Sequence, residues 1–303
     1  MVERTTHVDV SPNGFTDYKE DLLKFTLESI DLLIPNGECM SDQNFNDLCN
    51  LINHNVATLK ILRIKPFNIA REAEIISERF LQLEHLEISF PSGMKINDFL
   101  KFYSGGDTFF GSLIERSSFS LKQIKVEGYQ RGKYSLFKEV QSEMQMLKKL
   151  EVSHIDQYWY SNTNNHAAGC LGLKNMLSKS PKLEVLKLSQ SKLQDVSLLE
   201  SSHRLLASVT LQNVTIDAVA LKSLLTNVPV LQNLKFERCH LTQEINFSCQ
   251  LPKLIRLEVI DSPGIVSSFV YGVPLLQVSY LGFTDSENLV DFSWDFSKNL
   301  IVQ

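Results

Sequence analysis

Pro229-Val230-Leu231-Gln232-Asn233-Leu234-Lys235-Phe236 decides how this chain folds, because its pattern returns on either side. Pro181-x-Leu183-x-x-Leu186-x-Leu188 precedes it, and Pro252-x-Leu254-x-x-Leu257-x-Val259 follows it. The first leucine of the pattern can be followed outward as Leu59, Leu83, Leu121, Leu147, Leu183, Leu206, Leu231, Leu254 and, more weakly, Leu275. The intervals are 24, 38, 26, 36, 23, 25, 23 and 21 residues. A unit of about two dozen residues repeated along a chain describes a solenoid. Upstream, Leu27-x-x-Ile30-x-Leu32 and Val8-x-Val10 fit the same template. The array is therefore expected to occupy residues 1–303 as one domain. The two long intervals place insertions near 91–120 and 154–172, and the last residues, near 282–303, are expected to form a cap.

Each phrase encodes a short strand. Alternate strand residues point to opposite faces, so Leu186 and Leu188 face inward together while Lys187 faces out. A helical stretch is expected between strands: Leu173, Met176 and Leu177 precede Pro181, Leu221, Leu224 and Leu225 precede Pro229, and Ile75, Ile76 and Phe80 precede Leu83. These apolar residues recur at the 3 and 4 spacing of a helix stripe, and proline then stops the helix and turns the chain toward the next strand. No such unit can bury its own apolar face, so neighbours must stack.

With these residues in view, the chain resembles the ribonuclease-inhibitor-like leucine-rich repeats, and in particular the repeat domain of F-box/LRR proteins. The resemblance implies an α/β leucine-rich-repeat solenoid, curved, with a parallel inner sheet and outer helices. It also implies a noncatalytic protein-interaction module, with substrate or partner recognition in a ubiquitin-ligase assembly as its specific role. The alternative is a regulatory scaffold subunit of a stable complex unrelated to ubiquitylation. Two departures stand out. The ninth position of the unit, asparagine or cysteine in the family, is Phe67, Pro91, Tyr129, Ile155, Ser191, Val214, Cys239 and Ser262 here, so only Cys239 matches. No F-box is visible, and Val8-Asp9-Val10 already reads as strand where one would have to stand. An adaptor role would run through another surface, another chain or a further segment.

Composition narrows the partner. The chain is 43% hydrophobic and 21% charged, with a formal net charge of -5. It carries no basic excess, which argues against nucleic acid. There is no long apolar run and no apolar leader after Met1-Val2-Glu3-Arg4, so no membrane contact is expected. Five cysteines without paired spacing suggest reduced thiols and a cytoplasmic or nuclear location. Asn213-Val214-Thr215 and Asn246-Phe247-Ser248 match glycosylation sequons, and without a leader both read as coincidence.

Nothing in the chain assembles into catalytic chemistry. Cys239-His240 with Cys249 is the nearest approach to a metal cluster, but metal signatures use closer pairs, and Cys239 occupies a repeat position that suits a buried thiol. Gly105-Gly106 follows no strand and leads to no Lys-Ser or Lys-Thr, so it is no phosphate loop. His154 and His166 have no nucleophile in a plausible setting. The expectation is no enzyme, no cofactor and no metal, with protein partners.

The outward strand positions form the row Asp31, Arg63, Glu87, Lys125, Glu151, Lys187, Thr210, Lys235 and Glu258. Its signs alternate, which admits two readings: a charged binding strip, or a face that neutralises itself through neighbouring strands about 4.8 Å apart. The next outward row is expected to run Ser189, Gln212, Glu237, Ile260 and Leu281, so Ile260 and Leu281 would be apolar residues on a polar face. Either they mark a contact patch or the terminal segment covers them, since Phe292-x-Trp294-x-Phe296 has the period of a half-buried strand. In the first insertion Phe99, Phe102, Tyr103, Phe109, Phe110 and Leu113 suggest a helical excursion packed on the array. The second runs His154-Ile155-Asp156-Gln157-Tyr158-Trp159-Tyr160 into a polar stretch. Three consecutive aromatics cannot all face one core, so Tyr158, Trp159 and Tyr160, beside His154 and Lys187, are the candidate partner-binding centre. Aromatics folded back on the array remain the other reading.

Overall fold

The computed structural model describes residues 7–10, 26–32, 50–51, 53–64, 82–89, 111, 113–127, 137, 140–154, 167–194, 197–243, 251–262, 264–265, 280–285 and 290–295, with strands 7–10, 280–285 and 290–295 described by their backbone. The protein is α/β, with parallel strands and few helices among these residues. Its contacts gather in two units, Met1–Tyr129 with Leu136–Leu147, and Gln130–Ser135 with Lys148–Gln303.

In the first unit β1 (His7–Val10), β2 (Ser29–Leu32), β3 (Ile61–Ile64), β4 (His85–Ser89) and β5 (Gln123–Glu127) pair in parallel in chain order. The register is regular: Ile30 meets Leu62, Leu62 meets Leu86, and Leu86 meets Ile124. In the second unit β6 (Lys149–Ser153), α1 (Ala167–Ser178), β7 (Val185–Leu193), β8 (Ser208–Ile216), α2 (Ala218–Thr226) and β9 (Asn233–Glu237) follow one another. Next come β10 (His240–Leu241), β11 (Arg256–Ile260), β12 (Tyr280–Asp285) and β13 (Val290–Asp295). Here β6, β7, β8, β9, β11 and β12 pair in parallel, β13 adds antiparallel to β12, and β10 joins the far end of β8.

The leucines of the phrase are the core. Leu27, Leu59, Leu83, Leu121, Leu147, Leu183, Leu206, Leu231 and Leu254 are all buried, as are the inward pairs Leu86/Ile88, Ile124/Val126, Leu150/Val152, Leu186/Leu188, Val209/Leu211, Leu234/Phe236 and Leu257/Val259. The residue after each leading leucine uses its carbonyl twice. Glu28 O accepts from the N–H groups of Lys60 and Ile61, Glu84 O from Lys122 and Gln123, Glu184 O from Ala207 and Ser208, and Gln232 O from Ile255 and Arg256. Each doubled acceptor ties one strand's entry to the next and satisfies groups that burial would otherwise leave costly.

After the inward pair comes a device that no glycine announces. His154, Gln190, Asn213, Arg238 and Asp261, the eighth residues of five successive phrases, all have positive φ, between 47° and 61°. This left-handed conformation strains any residue with a Cβ, and single residues adopt it to turn the chain. It turns the chain after β6, β9 and β11 and kinks it within β7 and β8, and in the four phrases where the ninth residue is described that residue drops inward. Ser191, Val214, Cys239 and Ser262 are buried there. The Ser191 and Ser262 hydroxyls donate to the carbonyls two residues before them, at 2.7 Å and 2.8 Å. Cys239 Sγ donates to Leu211 O at 3.2 Å, and its N–H donates to Ser262 Oγ at 2.8 Å. Ser262 thus supplies at this position the hydroxyl that both accepts from the neighbouring phrase and donates within its own.

Helices follow the apolar stripe in part. Leu173, Met176 and Leu177 of α1 and Ala220, Leu221, Leu224 and Leu225 of α2 are buried. Asp217 caps α2, accepting from Ala220 N–H at 2.7 Å, and Pro181 and Pro229 lie in the exposed turns after the helices. The expectation of a helical stretch after every strand needs correction. Residues 197–207, between β7 and β8, form turns and bends without a helix. Leu198 and Leu199 fill the core instead, held because Leu198 N–H donates to Ser223 Oγ and Asn227 Nδ2 donates to Leu199 O. The stripe of Ile75, Ile76 and Phe80 lies outside the described residues.

His203 in that helix-free stretch is 4% exposed, and among the described residues its Nδ1 has no hydrogen-bond partner. Burial pushes its pKa below the usual 6.5. The unfolded chain therefore takes up this proton more readily than the folded one, so the stabilisation is present above pH 6.5 and lost as pH falls through and below it. Urea midpoints taken at about pH 7.5 and about pH 5.5 should fall further for the wild type than for His203→Leu. Equal falls would mean that His203 titrates alike in both states.

Candidate protein-interaction face

The outward strand positions are where side chains leave the core, and their charges are distributed unevenly between the two units. In the first unit the row is a connected network. Arg63 Nη1 donates to both oxygens of Asp31 at 2.8 Å and 2.9 Å and Arg63 Nε lies 3.4 Å from Glu87, while Lys125 Nζ is 2.8 Å from Glu87 and 2.9 Å from Glu127. Burial pulls the Lys125 pKa down, but the hydrogen bonds and charges of Glu87 and Glu127 outweigh it and raise the pKa overall. This half of the row neutralises itself, as its alternating signs suggested. Exposed pairs of this sort add little stability, but they leave little charge for anything else to meet.

The second unit differs. Glu151 pairs with Lys149 on its own strand, at 2.5 Å, and not with Lys187 beside it. Lys235 lies 3.1 Å from Glu237 and 3.7 Å from Glu258, Arg238 reaches Glu237 at 2.9 Å, and Arg256 pairs with Glu258. Burial pushes the Glu237 pKa up, but Lys235, Arg238 and Gln212 together lower it. Between these two charged groups, β7 and β8 present Val185, Lys187, Ser189, Ser208, Thr210 and Gln212. Among the described residues Lys187 has no ion-pair partner. Every other charged residue of the row from Asp31 to Glu258 has one, while Lys192, farther along β7, also has none among the described residues.

The residues singled out from the sequence are brought together only in part. His154 follows β6 directly. Its N–H donates to Ser189 O at 3.0 Å and its Nδ1 lies 2.9 Å from Ser153 Oγ, which sets the ring at the end of the strand beside that of Lys187. Tyr158, Trp159 and Tyr160 lie outside the described residues. Ile260 is half-buried at the end of β11, and three strand steps, about 14 Å, separate β11 from β7.

The placement of Leu281 is corrected by the register. Leu281 pairs with Leu257, in the row of the core, and the row of Ile260 continues instead at Thr284. The last phrase therefore begins at Val278, three residues after Leu275, because Leu275-x-x-Val278-x-Tyr280 and Val278-x-x-Leu281-x-Phe283 both match the template. From Leu254 the interval becomes 24 residues, which is more regular than before. β13 then places Trp294 opposite Leu281 and Phe292 opposite Phe283, in keeping with the alternation of that segment, while Phe296 lies outside the described residues. Of the insertions, Leu113 is buried in a short helical turn, the other named aromatics of the first lie outside the described residues, and α1 already occupies 167–172 of the second.

The thiols have a structural setting. Cys170 and Cys239 are buried, and burial pushes the Cys239 pKa up, away from the thiolate that catalysis or metal binding needs. Cys249 lies outside the described residues. Among the described residues no helix is long and apolar enough to cross a membrane. Compared with protein-family models and with curated proteins, the chain matches none.

Proposed function

We propose that this chain is a leucine-rich-repeat solenoid and acts as a noncatalytic protein-recognition module, binding through the outward sheet face of its second unit. The observation that carries the reading is the break in charge pairing across β7 and β8, where a half-buried polar strip with the uncompensated cations Lys187 and Lys192 replaces the self-neutralised network of the first unit. The recurrence of the doubled carbonyl and the left-handed eighth residue supports the repeat architecture, because repeated backbone geometry needs repeated units. The specific role, recognition within a ubiquitin-ligase assembly, rests on the resemblance of the repeated phrase. Trp159 and its neighbours supply the aromatic anchors in this reading.

Affinity capture with quantitative mass spectrometry tests it, using the wild-type chain and Trp159→Ala side by side. A partner that binds saturably is expected, and Trp159→Ala should weaken it roughly thirtyfold, the equivalent of about 2 kcal/mol for a buried interface aromatic. Ligase components in the captured set would support the ubiquitin role; an obligate partner without them would favour a scaffold subunit. Full affinity combined with a sharply lowered melting temperature would place Trp159 in the core.

A further inference from the structure

We infer that Lys187, with the Thr210 hydroxyl beside it and those of Ser189 and Ser208 flanking, receives a carboxylate from an acidic segment of a protein partner. The inference rests on the reading of this face as a recognition surface and assigns the partner its charge.

Three observations converge on that chemistry. The register sets Lys187 beside Thr210, Val185 beside Ser208 and Ser189 beside Gln212. Adjacent strands lie about 4.8 Å apart and same-face residues about 7 Å apart along a strand, so Lys187 and Thr210 stand side by side, with Ser189 one step beyond and Ser208 one step before them. Charge is the second. Glu151, the acid next to Lys187 in the ladder, is engaged by Lys149, and Thr210 on the other side is uncharged, so no internal acid competes for the ammonium. Third, the side chains of Ser189, Ser208 and Thr210 are half-buried, and among the described residues their hydroxyls bond to no protein group. The Lys187 ammonium and the Thr210 hydroxyl form a donor pair that suits an anion, and hydrogen bonds to a charged acceptor are the stronger kind. A basic or apolar segment placed here would meet an uncompensated like charge or strand those donors.

The surrounding pairs restrict where the acid can dock. A carboxylate placed toward β6 would face Glu151, and one placed toward β9 would face Glu237 and Glu258, all three already held by cations. Like-charge juxtaposition across an interface is costly, so these acids direct the partner's carboxylate to β7 and β8.

A random peptide library displayed on phage and selected on the full-length chain tests the inference. Selected peptides should be enriched in Asp and Glu, and one of them, made synthetically, should bind Lys187→Glu about tenfold more weakly than wild type. Replacing its acidic residue by lysine should restore binding to Lys187→Glu, and Thr210→Val should weaken the original peptide by a smaller factor. Lys187 makes no internal pair, so Lys187→Gln should melt like the wild type and bind the peptide more weakly too, while Lys187→Glu stands beside Glu151 and its fold is checked by circular dichroism. Selection of uncharged or basic peptides, or equal binding by wild type and Lys187→Glu, overturns the inference. So does a selection that enriches nothing. A partner captured saturably yet indifferent to Lys187 would leave the recognition reading standing while removing the acidic contact; absence of any saturable partner would remove the reading itself.

Discussion

Phe236→Ala is expected to lower the unfolding free energy by about 3 to 5 kcal/mol, the range for removing a buried phenylalanine ring. Phe236 is fully buried in β9, in register with Leu211 of β8 and Val259 of β11. Its neighbours in this row are aliphatic, so the one ring fills width that they leave. Collapse into the resulting cavity is hindered because the backbone is pinned on both sides. Asn233 N–H is bound to Ala207 O, Arg256 N–H to Gln232 O, and Arg238 N–H to Ile260 O at 2.7 Å. Phe236→Leu, which gives this unit the residue of β7 and β8, should cost about 1 kcal/mol. Equilibrium urea denaturation of both variants decides the matter. A loss below about 1.5 kcal/mol for the alanine variant would show that adjacent phrases close over the gap.

Phe236 also shows how far the sequence could be read. Its inward position followed from strand alternation, as did those of the nine leading leucines, because apolar identity at a fixed spacing is the physical requirement for burial in a stacked sheet. The turn after each inward pair was not legible. The left-handed position is held by histidine, glutamine, asparagine, arginine and aspartate in turn, with no glycine to mark it. Backbone bonds on either side hold it, joined at Ser191 and Ser262 by hydroxyls that bond back across the turn. The slip at Leu275 has a similar cause, since a degenerate apolar template can be laid on the last phrase in two registers and only pairing with β11 chooses between them. The missing helix between β7 and β8 was invisible because Leu198 and Leu199 supply the same apolar content as a helix stripe.

The candidate site was legible in outline alone. Lys187 was one member of a row of alternating charges, and alternation implied that it would be paired like the rest. What separates it is that Glu151 turns to Lys149 along its own strand, a competition between two cations that depends on side-chain reach. The thiol of Cys239 was easier, because a small residue at the ninth position has one place to go.

The second large effect is expected in the first unit, at a residue the repeat pattern does not single out. Asn55 is 1% exposed and links two successive phrases: its Oδ1 accepts from Leu27 N–H at 2.7 Å, and its Nδ2 donates to Leu51 O at 2.9 Å. The amide orientation follows from these bonds, since the N–H of Leu27 must meet an oxygen. Thr58 Oγ1 completes the link by donating to Leu27 O at 2.9 Å, so side chains of the following phrase satisfy both backbone groups of Leu27. Asn55→Leu preserves volume but leaves the buried Leu27 N–H without its acceptor, while Leu51 O keeps the backbone N–H of residue 55 as a donor. About 2 to 3 kcal/mol of stability should be lost, because a stranded buried polar group costs its full desolvation. Thr58→Val, which removes one half-buried hydroxyl, should cost about 1 kcal/mol. Since both act on Leu27, the double variant should depart from additivity by about 0.5 kcal/mol or more. Hydrogen exchange gives the local readout: the Leu27 amide should exchange markedly faster in Asn55→Leu. Unchanged protection of that amide, with a denaturation midpoint equal to wild type, would show that the chain resupplies the acceptor and that Asn55 is not the link between these phrases.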